Sequence, residues 1–304
     1  MSKAVNQHWV PQFYLREFST SESMESDTPQ AWIFSKRDQD GEEKLTSIRN
    51  ICAKRYLYSP KEISGDRSWD ADDRLQEIES LLAPIWSAVA HDMVDLSWEP
   101  IRKGLALFIA TTHVRHPDNL KLVKSIRRQL VESADGFPKR PDGTPDVEWI
   151  ILGGEEYKVD TSNWHSYTEW SDDDHHRFFA EAIRSESGYL AELLLKKRWS
   201  VVVAEESHFI TSDRPVALQH PTQKKFGFGT PGVIVSFPLS PTRILIMDDR
   251  HKEPANQYYP VKAEDAGAFN YSIWREGSRF MITGRPVLEV LAEITGWADR
   301  EGYA

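Results

Sequence analysis

Cysteine is almost missing from this chain of 304 residues, which carries it only at Cys52. An intrachain disulfide, a Cys-rich zinc site and dithiol redox chemistry are thereby excluded, and a lone thiol fits a reducing compartment. Long apolar runs are missing too. Met1 to Val10 holds one lysine and no stretch as long as a signal-peptide core, and every apolar run elsewhere falls far short of a bilayer. The sequence therefore predicts a cytoplasmic protein with no export signal and no membrane span. Also absent are a Walker-type phosphate loop, a dinucleotide-binding glycine fingerprint, a Gly-x-Ser-x-Gly elbow and a His-Glu-x-x-His helix, which removes the enzyme classes most easily read from sequence. Positive charge is in deficit: 37 Lys and Arg stand against 47 Asp and Glu, and the net charge of -10 disfavours non-specific wrapping of nucleic acid.

What is present has a generous apolar share, with 40% hydrophobic residues to build a core. His8-Trp9-Val10-Pro11 reads as an extended entry to a short helix, whose first turn tolerates Pro11 because no N–H is needed there. Ala31 to Ser35 and Leu45 to Ile48, on either side of the turn-formers Asp38-Gln39-Asp40-Gly41, read as a β-hairpin. Leu75, Ile78, Leu81, Leu82, Ile85 and Val89 recur at helical steps, with Pro84 expected to kink the helix. Ile101, Leu105, Phe108, Ile109 and Thr112 mark a second helix ending near Pro117, and a third is expected over about 118–131.

Residues 135–170 are dense in turn-formers and read as a surface excursion holding a short strand at Trp149 to Leu152. Ser171 followed by Asp172 to Asp174 is a capped, acidic start to a long helix that closes at Lys196-Lys197-Arg198. Beyond it the period shortens to two or becomes continuous, giving strands at Trp199 to Ala204, His208 to Ser212, Val233 to Phe237, Arg243 to Met247 and Arg279 to Thr283. Helices are expected over about 263–275 and 286–297. The pattern predicts a single α+β domain over 1–304, in which N-terminal and C-terminal strands bracket the helical middle and form one mainly antiparallel sheet.

Five blocks carry a likeness that extends over most of the chain. They are His8-x-x-Pro11-Gln12-x-x-Leu15-Arg16-x-Phe18, Phe108-Ile109-Ala110 with Arg115-x-Pro117, Phe209-Ile210-Thr211-Ser212-Asp213-x-Pro215-Val216, Ser236-Phe237-Pro238-Leu239-Ser240-Pro241, and Asn270 ahead of Arg279-Phe280. In this order they resemble a bacterial and fungal family known only as domain of unknown function 4238. The resemblance implies no activity, because the family has none to transfer, and 135–170 matches none of its blocks.

Among polar residues, His8 sits just before the first helix, and Gln12 and Arg16 lie one turn apart on it, an arrangement that suits an anion. The competing account has His8 capping the helix entry and Arg16 paired with a carboxylate. Asp213 closes a strand ahead of Arg214-Pro215, where a carboxylate serves as general base or metal ligand, or simply ends the strand in an Asx turn. His113 and His116 are spaced to share a metal or a phosphate, or else form a solvated or capping pair at a helix C-terminus. Asp172-Asp173-Asp174-His175-His176 has the composition of a metal cluster but the position of a helix cap. Lys121, Lys124 and Arg128 form a basic stripe, read as a solvated helix face ahead of a nucleic-acid track.

Two functions follow. One is an enzyme acting on a phosphorylated or nucleic-acid substrate held by Gln12, Arg16, Arg115 and Asn270, with His8 as acid or base and Asp213 as base or metal ligand. The other is a non-catalytic binding or interaction module in which those polar residues form a structural network pinning the first helix to the sheet. The expected partner is an anionic small molecule or a nucleic acid. The sequence specifies no cofactor, metal or oligomeric state.

Overall fold

The fold is seen in a computed structural model that describes residues 3–36, 42–152 and 154–302. β1 (Asn6–His8) leads through Pro11, at φ -62°, into α1 (Gln12–Arg16). β2 (Gln30–Ser35) and β3 (Glu43–Ser47) pair antiparallel as expected, while their turn at Asp38 to Gly41 lies outside the described residues. β4 (Ala53–Arg55) returns to pair with β1.

The helical middle starts with α2 (Asp70–Leu82) and α3 (Trp86–His91). Pro84 does not kink one helix here. It sits in a 3-10 turn, Ala83–Ile85, that separates two, because its ring and missing N–H interrupt the α-helical ladder. α4 (Glu99–Val114) stops before Pro117, which then serves as the first residue of α5 (Pro117–Ala134). β5 (Trp149–Leu152) pairs with β6 (Glu155–Lys158) in a small hairpin, followed by α6 (Trp164–Thr168). α7 (Asp172–Leu195) opens on a capping box, in which Ser171 Oγ accepts from the Asp174 N–H and the Asp174 carboxylate accepts from the Ser171 N–H. α4 and α7 pack against each other along their lengths.

After α7 come β7 (Arg198–Val203), β8 (Thr211–Ser212), β9 (Ala217–Gln219), β10 (Ile234–Ser240), β11 (Arg243–Asp248), β12 (Gln257–Pro260), α8 (Ala266–Glu276), β13 (Phe280–Thr283) and α9 (Val287–Glu301). The fold is α+β with mainly antiparallel pairing, and the N-terminal hairpin does join late strands, in the order β3-β2-β13-β8. The expectation of one sheet needs correction: β12-β7-β11-β10-β9 form a second sheet, in which only β12 runs parallel to its neighbour. The split falls at Asp213-Arg214-Pro215. Pro215 has no N–H for a ladder, and the chain leaves β8 in one sheet to enter β9 in the other.

Strand His208 to Ser212 is likewise shorter than expected. Asn270 accepts from the Ile210 N–H at 3.1 Å and donates to the His208 carbonyl at 2.9 Å, so side-chain bonds replace a ladder there. In the five-stranded sheet the period of two sorts the faces. Trp199, Val201, Val235, Phe237, Leu245 and Met247 enter the main core with Leu105 and Phe108 of α4, while Ser200, Val202, Ser236, Ile244 and Ile246 turn away from it. Tyr14 and Phe18 join the same core, with Tyr14 and Phe237 ring centroids 5.2 Å apart, so the short α1 is fixed by packing rather than by its own propensity.

Candidate functional site

Three of the polar residues singled out in the sequence meet around Trp9. The Trp9 indole N–H donates to the Asp213 carbonyl at 3.0 Å, and the Trp9 carbonyl accepts from Arg115 Nε at 2.8 Å. Arg115, 1% exposed, also donates through Nη1 to Glu79 Oε1 at 2.7 Å, and its own carbonyl accepts from the Tyr58 hydroxyl. Asp213, 2% exposed, directs Oδ1 at the backbone N–H groups of Ser278, Arg279 and Phe280, at 2.9, 3.1 and 3.2 Å. His8 is half-buried, with Nε2 3.2 Å from the Arg49 carbonyl. Burial, more than the nearby Arg115 charge, lowers its pKa.

Arg115, His116 and Asp213 are buried together with Cys52. Burial pushes the Cys52 thiol well up, and the Asp213 charge adds to that, so this cysteine stays a neutral core residue. Arg115 Nη2 and His116 Nε2 are buried without hydrogen-bond partners among the described residues, and Asp213 Oδ2 lies 3.9 Å from His116 Nε2.

The other three candidates lie elsewhere. Gln12 is exposed and makes no side-chain hydrogen bond to a described residue. Arg16 is exposed and donates to the carbonyls of Met24 and Ser26 at 2.6 and 3.2 Å, tying down the loop after α1. Asn270 is fully buried in the backbone bonds given above.

His116 is buried and His113 partly buried, so neither lies free in solvent. His116 caps α5 by accepting the Asp118 N–H at Nδ1, and its ring meets the Trp9 ring edge-on at 5.9 Å. His113 lies edge-on to Phe228 at 4.8 Å, and burial, helped by the charge of Arg214, lowers its pKa to about 3. His175 and His176 turn back to the carbonyls of Ser171 and Asp172, and no metal-ready group of three ligands exists among the described residues. Lys121 and Lys124 pair with Asp118 and Asp172 at 2.6 Å, and Arg128 lies 3.9 Å from Glu132, so the basic stripe is neutralised along its length.

Open space lies on the far face of the five-stranded sheet, in a cleft of about 1050 Å³. Register builds its floor: Ser200, Ile246 and Ser236 stand side by side on β7, β11 and β10, and Arg198 opposes Asp248 one step along. α8 forms one wall with Phe269, Ser272 and Arg275. The rim is made by the segments after β9 and after β11, which emerge at the same end of the sheet because β10 runs antiparallel to both neighbours. They meet at Gly232 (φ +86°), where a Cβ would stand 3.2 Å from His220 Nε2 and 3.7 Å from Arg250 Cδ.

Four of the cleft's side chains are Arg or Lys, against two glutamates, on a chain of net charge -10. Arg198 is committed to Asp248 at 3.4 Å and to the carbonyls of Glu253 and Pro254, and Arg275 lies 3.4 Å from Glu276. Although burial opposes it, the backbone N–H groups of His251 and Arg250 keep the Asp248 carboxyl below the usual range, and His251 stays at 2.9 Å from it. Lys224 and Arg250 are exposed and have no side-chain hydrogen bond or ion pair with a described residue. These two, with His220 and Phe226, escaped the sequence reading. Lys224-Lys225 and Arg250-His251-Lys252 are visible as basic turns, but only the strand order shows that they share a rim.

Fold and cleft together define an α+β protein with two larger, mainly antiparallel sheets beside two small two-stranded ones, and a basic cleft on the outer face of the five-stranded sheet. A family model described as "Protein of unknown function (DUF4238)" matches residues 6–285, and the chain belongs to that family. No curated protein and no solved structure matches it. Among the described residues no helix is long and apolar enough to cross a membrane.

Proposed function

We propose that the protein is a binding module for an anionic small molecule, with the cleft as its site and the residues around Trp9 as its scaffold. The observation that carries this reading is the pair of uncommitted cations, Lys224 and Arg250, on the rim of a cleft whose other two cations, Arg198 and Arg275, are paired with Asp248 and Glu276, and whose lining holds one carboxylate, Glu253, without an ion pair to a described residue. A small ligand is favoured over a nucleic acid because the stripe of Lys121, Lys124 and Arg128 is already paired with carboxylates. The scaffold role of Asp213, Arg115 and Asn270 is supported by their burial and by their bonds to backbone. In this reading residues 1–304 form one domain, since the main core takes Val10, Phe108, Leu194, Phe237 and Ile282 alike. The lone buried Cys52 accords with a cytoplasmic setting.

The test is titration of the full chain with inorganic triphosphate at low salt, read by calorimetry and by melting temperature. Binding is expected, with a loss of at least about 10-fold in Lys224→Glu and Arg250→Glu at unchanged melting temperature of the free proteins. Equal affinity in the wild type and both variants, or no binding of any anion, removes the proposal.

A further inference from the structure

The cleft is not lined like a site for a bare anion. We infer that it takes a nucleoside phosphate, its phosphates at the rim and its base and sugar over the sheet; this rests on the anion-binding reading of the same cleft.

The argument separates the rim from the interior. His220 Nδ1 accepts the N–H groups of Thr222 and Gln223 at 3.2 and 2.8 Å, so Nε2 bears the proton and donates to the Pro231 carbonyl at 3.0 Å. That pattern leaves neither ring nitrogen of His220 free for a ligand. His251 is spoken for by Asp248. Phosphate recognition therefore falls to Lys224 and Arg250, the second of which offers a planar fork. Two rings line the cleft: Phe226 beside the rim, two residues from Lys224 and tilted 35° against His220 at 5.7 Å, and Tyr259 on β12 at the other edge of the sheet, whose hydroxyl donates to the Pro254 carbonyl and whose ring centroid lies 5.8 Å from the Arg198 guanidinium. Both are only partly buried and both line the cleft, and Phe226 packs with its other side against the main core. A flat heterocycle gains from such faces and a phosphate does not.

Between rings and rim lie polar groups with spare capacity. Ser236 Oγ makes no hydrogen bond to a described residue, and Gln219 donates Nε2 to Ser272 Oγ while Oε1 has no partner among the described residues. Hydroxyl and carboxamide groups of this kind match the hydroxyls of a sugar. The cleft's 1050 Å³ exceeds what an inorganic phosphate fills and stands at the upper end of the range for small-ligand sites. The interior thus supplies ring faces and neutral polar groups, and the rim supplies charge, which is the division a nucleotide presents.

The experiment compares ATP, GTP, CTP and UTP with inorganic triphosphate on the full chain by calorimetry, in the wild type and in Phe226→Leu. At least one nucleotide should bind roughly 10-fold more tightly than triphosphate, and Phe226→Leu should bring that ratio close to one while leaving triphosphate binding unchanged. If no nucleotide exceeds triphosphate, the ring and sugar contribute nothing and the inference is lost, although the anion-binding reading stands. Tighter binding of a single-stranded oligonucleotide than of every mononucleotide also overturns it. Should Phe226→Leu melt early, saturation-transfer NMR on the wild type reads the same contact: strong saturation of base protons supports the assignment, and saturation absent from them refutes it.

Discussion

The indole of Trp9 donates to the carbonyl of Asp213 across 204 positions of sequence, and this single bond ties the opening segment of the chain to the point where its two sheets part. The neighbouring bonds follow the same direction. Arg115 holds the Trp9 carbonyl, and Asp213 holds three consecutive N–H groups that lead into β13. In the function proposed above these residues, which look like chemistry in the sequence, act as joints, and their substitution should register first in stability.

Asp213→Ala leaves the N–H groups of Ser278, Arg279 and Phe280 without their acceptor in a buried place. A loss of about 3 kcal/mol or more is expected in chemical denaturation, with Asp213→Asn intermediate because one oxygen can still accept. A wild-type midpoint for Asp213→Ala rules out the joint.

Arg115→Leu strips a partner from Glu79, whose side chain is 27% exposed, and from the Trp9 carbonyl. The partial exposure of Glu79 puts the cost near the low end for a buried pair, at about 3 kcal/mol. Adding Glu79→Leu should recover part of that loss in a double-mutant cycle, and strictly additive effects argue against coupling.

Stability should fall as the medium is acidified. His113 has a folded pKa of about 3, well below the ordinary histidine value, so between roughly pH 6.5 and 3 the unfolded chain takes a proton that the native chain refuses. The contribution is fully present above about pH 6.5 and is lost going down, with a slope of up to about 1.4 kcal/mol per pH unit. His8 and His176, also lowered mainly by burial, act in the same direction. His113→Gln should flatten the dependence of the urea midpoint on pH from 7 to 5, and an unchanged slope contradicts the assignment.

Gly267→Ala tests the crossing of α8 and α9. A Cβ there would stand 2.5 Å from the Glu293 carbonyl oxygen and 2.6 Å from Trp297 Cβ, so one of the helices must shift. Overpacking of this kind costs about 1–3 kcal/mol. Since Trp297 and Phe269 of these helices both line the cleft, triphosphate affinity should fall along with the melting temperature. A variant that melts and binds as the wild type does shows that the helices yield without cost.

Much of this architecture is legible in the sequence where the cause is local. The capping box of Ser171 and Asp174, the arrest of α4 before Pro117 and the alternation along β7 and β11 each depend on a few neighbouring residues, and each stands in the structure where the pattern places it. β9 and β12 went unread because strands of three and four residues take their form from the partners beside them rather than from their own composition. The Trp9 joint was half legible: Arg115 and Asp213 stand out as polar residues, but Glu79 is one acid among many on α2 and nothing local marks it as the partner of an arginine more than thirty residues away.

What the sequence alone determined is the α+β class, the positions of the long helices and the family, since propensity, capping and block order are properties of short stretches. Tertiary structure alone decided that Asp213 faces backbone instead of open space, that two sheets form instead of one, and that Lys224 and Arg250 share a rim. Each of these depends on which distant strands pair, and pairing is selected by burial and closure over the whole chain.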